Sequence, residues 1–210
     1  MKHIYALLLL VCAPVAMAQK WEVGAGIGGA FYTSQTFSNA AGSANASLAS
    51  GMVASGWLGN NSHDRWGGEI RYDYESTGLK LSSGSANANF AADTQAIHYD
   101  FLYHFTSQEA AVRPFVAAGG GVKFFHGTGH ETVSQPLQNI GLLTKTNEIK
   151  GMLSVGAGVK FNFARIFQLR LEVHDYMTPF PTKVITPTQG TKVGGWLMDF
   201  VPMAALAITF

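Results

Sequence analysis

Phe167-Gln168-Leu169-Arg170-Leu171-Glu172-Val173-His174 decides the fold. Phe167, Leu169, Leu171 and Val173 fall on one side of an extended chain and Gln168, Arg170, Glu172 and His174 on the other, the period-two signature of a β-strand. One side is wholly apolar, while the other sets opposite charges two residues apart. The pattern recurs in 94–105, where Ile97, Tyr99, Phe101, Tyr103 and Phe105 oppose Ala96, His98, Asp100, Leu102 and His104. In 66–74, Trp66, Ile70, Tyr72 and Tyr74 oppose Glu69, Arg71 and Asp73. Segments 153–163 and 198–210 alternate in the same way, the latter interrupted by Pro202, where a ladder donor is missing and a bulge is expected. Weaker alternation in 21–33, 47–59 and 112–126 completes a set of eight strands; small residues on both faces leave the facing of 47–59 open.

The stretches between these strands alternate in length. They are long at 34–46, 75–93, 127–147 and 177–191, and short at 60–65, 106–111 and 164–166. The expected architecture is an all-β, eight-stranded antiparallel up-and-down barrel, with its long loops at one end and tight turns at the other.

Composition says which solvent surrounds it. The chain has 210 residues, 47% hydrophobic and 13% charged, with 14 Lys plus Arg against 13 Asp plus Glu. A soluble domain of similar apolar content carries roughly 25% charged residues, and a net charge of +1 leaves no basic footprint for nucleic acid. No apolar run after residue 18 is long enough for a spanning helix, so the apolar strand faces are expected to meet lipid around a polar interior. An eight-stranded interior holds side chains and little else, which suits Gly24, Gly26, Gly28, Gly119, Gly121, Gly156 and Gly158 beside long Arg and Glu side chains. Trp21, Trp57, Trp66, Phe105, Phe163, Phe167 and Phe210 are expected in an aromatic belt at the short-turn end. Phe31, Tyr72, Tyr74, Phe124, Tyr176 and Trp196 are expected in another near the long loops.

Residues 1–18 read as a cleaved signal peptide, with Lys2 and His3 before an apolar core and Ala16-Met17-Ala18 as the cleavage site; 19–210 is the barrel domain. Cys12, the only cysteine, leaves with the signal, which excludes disulfides and thiol chemistry from the remainder.

The signal, the eight strands, Gly67-Gly68-Glu69-Ile70-Arg71-Tyr72, Arg113-Pro114-Phe115-Val116 and the closing Leu206-Ala207-Ile208-Thr209-Phe210 together resemble the small outer-membrane β-barrel proteins of the OmpA/OmpX-like group. The resemblance implies the outer membrane of a Gram-negative-type bacterium, with membrane lipid and lipopolysaccharide as surroundings. It implies the barrel-assembly machinery as a partner in biogenesis, with Leu206, Ile208 and Phe210 as the assembly signal. No periplasmic cell-wall domain follows the barrel in this sequence, so a cell-wall tether is not carried over.

The candidate site is the interior charge network of Glu69, Arg71, Asp73, His98, Asp100, Lys123, Lys160, Arg170, Glu172 and His174, with Glu22, His104 and Asp199 facing the same way. Opposite charges on neighbouring strands offset one another's desolvation in a narrow lumen and close it; a proton or ion path through the same residues is the alternative. Gly24-Ala25-Gly26-Ile27-Gly28-Gly29 matches G-x-G-x-x-G, but no helix or downstream acid follows it as a dinucleotide site requires. His126, His130 and Glu131 lack helical metal-ligand spacing and read as loop. His126 with Thr128 resembles part of a lipid A hydrolase rim without its serine nucleophile. No cofactor, metal or catalytic residue is therefore expected. Three functions remain: a non-enzymatic barrel acting through its loops, a narrow channel for small solutes, and a lipid A-modifying enzyme.

Overall fold

The computed structural model describes residues 21–61, 63–164 and 166–210; the expected signal segment lies outside them. The strands are β1 (Trp21–Tyr32), β2 (Gln35–Asn39), β3 (Gly42–Leu48), β4 (Gly51–Asn60), β5 (Trp66–Ser83), β6 (Ala86–His104), β7 (Val112–Gly127), β8 (Gly141–Leu143), β9 (Asn147–Asn162), β10 (Phe167–Pro179), β11 (Ile185–Pro187) and β12 (Trp196–Thr209). Eight of them form an antiparallel ring in the order β1, β4, β5, β6, β7, β9, β10, β12, which closes where β12 pairs back onto β1. Closure removes the sheet edges, so all barrel backbone polar groups can be satisfied by neighbouring strands. Trp21 and Phe210 complete it, each donating its backbone N–H to the other's carbonyl at 3.0 and 2.9 Å.

Alternation places the apolar residues outside. Ile27, Trp66, Phe101 and Leu206 are 60 to 67% exposed, whereas Arg71 and Arg170 on inward positions are at most 1% exposed. An apolar exterior around a charged interior is the arrangement a hydrocarbon solvent demands.

This arrangement inverts partway up the barrel. Along β5 the inward positions run Glu69, Arg71, Asp73, Glu75 and then Leu79 and Leu81, all buried. The outward positions run Ile70, Tyr72, Tyr74 and then Ser76 and Lys80. On β6 the buried face passes from Asp100 and His98 to Ala92, Phe90 and Ala88, while the outer face passes from Tyr99 and Ile97 to Asn89 and Asn87. The strands here leave lipid for water, so the apolar face turns inward as in a soluble protein. The expected loop 75–93 is accordingly not a loop: β5 and β6 continue to a tight turn at residues 84 and 85, where Gly84 has φ +56°. Likewise 34–46 is largely the β2–β3 hairpin, and the other two long segments contribute β8 and β11, which pair with each other. All four pack around one apolar core that includes Phe37, Leu79, Leu81, Phe90, Phe125, Leu143, Phe180 and Ile185.

Segment 47–59 turns Val53, Ser55 and Trp57 inward. Trp57, 4% exposed, and Tyr176, 1% exposed, therefore do not belong to the belts in which their positions near strand ends had placed them. Trp21, Trp66, Phe105, Phe163, Phe167 and Phe210 do line the short-turn rim, and Phe31, Tyr72, Tyr74 and Trp196 are exposed near the other. Trp57 owes its inward place to Gly24: a Cβ there would stand 2.1 Å from the indole ring.

Pro202 makes no bulge. The β1–β12 register is the same below and above it, from Gly28↔Met203 to Phe31↔Phe200, and β10 pairs through it at Val173↔Pro202. Counting by twos from the hydrogen-bonded pair Trp21 and Phe210 puts Gly29 and Pro202 at a hydrogen-bonding position. The missing proline N–H removes one bond there, and the ladder lapses only at residues 29 and 30. Losing one donor needs no inserted residue when the partner strand on the other side holds the register.

Candidate functional site

The inward side chains fill the barrel in layers, each set by strand register. At the short-turn end, Lys160 Nζ lies 2.6 Å from Glu22 Oε2. Glu22 also accepts from Trp57 Nε1 at 2.9 Å and Asn61 Nδ2 at 3.1 Å. Above it, Arg170 donates Nη1 and Nη2 to Glu69 at 2.6 and 2.9 Å and Nε to Glu172 at 2.5 Å. Arg71 donates to the same two carboxylates, Nη2 to Glu69 and Nη1 to Glu172, each at 2.8 Å. The Trp57 ring lies 4.8 Å from both guanidinium carbons, so a cation–π contact joins the two arginines from β4, which carries no charged side chain of its own.

The middle layer is built on histidine. His98 Nε2 lies 3.0 Å from Asp73 Oδ2 and Nδ1 3.2 Å from Asp100 Oδ1. His174 Nε2 lies 3.2 Å from Glu172, joining this layer to the arginines. Tyr176 donates to Asp73 at 2.8 Å and Ser154 to Asp100 at 3.2 Å. In the top layer Lys123 Nζ meets Glu75 Oε2 at 2.7 Å and Asp199 Oδ2 at 2.5 Å, and Tyr32 donates to Glu75. The apolar loop core begins directly above, with Leu79 on the same face of β5 as Glu75.

All ten residues assigned to the network from sequence are buried on the inward face: Glu69, Arg71, Asp73, His98, Asp100, Lys123, Lys160, Arg170, Glu172 and His174. Sequence could not pair them. Among the described residues Asp73 and Asp100 form no ion pair with an arginine: Asp73 shares a hydrogen bond with His98 Nε2 and accepts from Tyr176, and Asp100 accepts from Ser154. It also missed Glu75, assigned to a loop; Tyr32 and Tyr176, assigned to the end of a strand and to a belt; and Trp57. Parity was the available signal for Glu75, which continues the series 69, 71, 73.

The remaining motifs are dispersed. Gly24 to Gly29 lies within β1 and turns no helix toward a phosphate. His126 Nδ1 lies 3.0 Å from Asp93 Oδ1, whereas Glu131 accepts from the Lys145 backbone N–H at 2.6 Å, so these two residues serve separate contacts. Leu206, Ile208 and Phe210 point outward, 60, 45 and 36% exposed.

A family model described as outer membrane protein beta-barrel domain matches residues 4–185. Among solved structures, OprG from Pseudomonas aeruginosa is similar at 12% identity, with 92% of this chain and 96% of that chain covered and a TM-score of 0.58. Neisserial surface protein A is similar at 15% identity over 90% of this chain and 97% of that one, with a TM-score of 0.54. AlkL, solved by solid-state NMR in DMPC lipid bilayers, is similar at 12% identity over 94% of each chain, with a TM-score of 0.53. These likenesses concern the fold. No curated protein matches the sequence.

Proposed function

Because this chain belongs to the outer membrane protein beta-barrel domain family, and so to the outer membrane of Gram-negative bacteria, we propose that it is a closed, non-enzymatic barrel that holds a folded extracellular platform at the cell surface. In such barrels the short turns face the periplasm and the long loops the outside. The observation that carries the reading is that the four long segments share one apolar core seated on the lumen, Phe37 and Phe180 meeting edge to face at 5.5 Å. Loops that gate a conducting pore need to leave a wet path, whereas these bury phenylalanine and leucine over it. Beneath them, Arg71, Arg170, Lys123 and Lys160 occupy the lumen, each paired with at least one carboxylate.

The platform's outward face carries Ser43, Asn45, Lys80, Asn87 and Asn89, polar and exposed. Such a face suits contact with sugar-rich and hydrated surroundings such as lipopolysaccharide. Planar-bilayer recording of purified protein tests the reading. The expected result is no steady conductance at neutral pH; a large, stable conductance would replace it with the small-solute channel.

A further inference from the structure

Seven of the charges near the periplasmic end are inward, and six of them balance. Glu22, Glu69 and Glu172 are matched by Lys160, Arg71 and Arg170, with every member of the set in an ion pair of 2.8 Å or less. Arg113 is the seventh. It is 3% exposed, and among the described residues no carboxylate touches it: the charges of Glu22 and Asp64 reach it only from beyond ion-pair contact. Nη2 donates to the Asp64 backbone carbonyl at 3.0 Å, and Nε has no acceptor. A buried guanidinium with no counter-ion in contact and an unfilled Nε donor has room for an anion of its own.

Arg113 lines a cleft of about 220 Å³ at the periplasmic mouth, shared with Asn61, Gln108, Glu109, Asn162 and Gln168. The short turns that build this cleft are fixed to one another. Gln108 donates its backbone N–H to Asp64 Oδ1 at 2.9 Å, and Asn162 donates Nδ2 to the Ala110 carbonyl at 2.8 Å. That second bond fixes two amide orientations in turn. A carbonyl only accepts, so Asn162 must present Nδ2 to Ala110 and its Oδ1 to Gln168, whose Nε2 donates to it at 2.7 Å. Gln168 Oε1 is then left buried with no donor. The mouth therefore holds an unmatched cation and an unmatched hydrogen-bond acceptor, both on preorganised walls.

We infer that this mouth is a binding site for the carboxylate of an N-acylated amino acid, the chemistry of a peptide C-terminus, with Arg113 taking the carboxylate and Gln168 accepting the adjoining amide N–H. A guanidinium matches a carboxylate in charge and planar geometry, and an amide N–H is the donor found one carbon away from it in a peptide. Glu109, exposed on the rim, sets the charge limit: a monoanion gains from Arg113, while a phosphate dianion is repelled more strongly by Glu109. The periplasmic placement rests on the family's orientation; the site itself is independent of whether the barrel conducts.

The test uses the full barrel in lipid nanodiscs, reading the Arg113 side-chain N–H signal by ¹⁵N NMR during titration. N-acetylalanine is expected to shift it saturably, acetate more weakly, and N-acetylalanine methylamide not at all. N-acetyl-trialanine separates the sources: equal affinity points to a free acylated amino acid, and about tenfold tighter binding to an extended polypeptide end. Arg113→Gln is expected to weaken binding at least about tenfold. Glu109→Gln, an exposed change that leaves the fold alone, is expected to tighten it severalfold. No saturable shift, an equal response to the methylamide, tighter binding of inorganic phosphate, or an unchanged affinity in Glu109→Gln would each overturn the assignment.

Discussion

Arg170 and Glu69 face each other from opposite walls of the barrel, β10 and β5, and join through two hydrogen bonds of 2.6 and 2.9 Å. Three strands lie between β10 and β5 in either direction around the ring, so this contact spans the lumen and ties walls that share no backbone pairing. Arg170→Ala leaves Glu69 and Glu172 with only Arg71 between them, and is expected to destabilise the barrel by about 3–5 kcal/mol. Urea unfolding in lipid vesicles measures this. A loss under about 1 kcal/mol would mean that water replaces the guanidinium freely and that the lumen is not dry.

The strands crossing the membrane were legible because lipid and lumen impose opposite demands on alternate residues. Gln168 to His174 needs no homologue to be read, since nothing but a two-solvent strand sets Leu169 and Leu171 against Arg170 and Glu172. The upper halves of β5 and β6 were lost for a related reason. Their alternation continues as Leu79 and Leu81 against Lys80 and Ser82, but the apolar side is now the inner one, so a reader tracking the outward apolar face finds it ending at Tyr74. The inversion itself marks the membrane surface. Pairings within the network were illegible because they join walls far apart in sequence: Glu22 to Lys160, Glu69 to Arg170, Arg71 to Glu172. The Arg113 site was illegible for another reason, since it consists of a charge that the register leaves over.

Gly24 tests how tightly that interior is packed. Its Cα approaches Trp57, whose indole also contacts Arg71 and Arg170 and donates to Glu22. Gly24→Ala must displace the ring, with an expected cost of about 1–3 kcal/mol. Tryptophan fluorescence should move to longer wavelength if Trp57 is pushed toward water. Unchanged stability and spectrum would show slack in the lower layer.

Phe210 takes part in barrel closure, and we propose that it also serves assembly. Its backbone holds Trp21 by two hydrogen bonds, while its ring faces outward at the short-turn rim. Phe210→Asp preserves the backbone pairing but removes the terminal aromatic that resembles an assembly signal. Assembled protein in cells, scored as the outer-membrane fraction that shifts on gels after heating, is expected to fall several-fold, with refolding of purified protein in detergent largely retained. Equal loss in both experiments would assign Phe210 to closure alone.

The proposed closure rests on two barriers in series along the lumen, and their order makes a distinct forecast for conduction. On the closed-barrel reading proposed above, the ion pairs around Arg170 block the half at the short-turn end, and the apolar core containing Phe37 and Phe180 blocks the mouth at the long-loop end. Arg170→Ala therefore removes one obstacle and leaves the path closed by the other. Phe37→Ser, placing a hydroxyl where a wholly buried ring meets Phe180, loosens the cap but leaves the charge layers intact beneath it. In planar bilayers each single variant is expected to be as silent as the parent, and the double variant to show transient openings. Circular dichroism and the heat-dependent gel shift check that all three proteins remain folded barrels. Steady conduction by Phe37→Ser alone would show that the charged layers pass ions and that the loops are the sole gate; conduction by Arg170→Ala alone would show that the apolar cap does not seal.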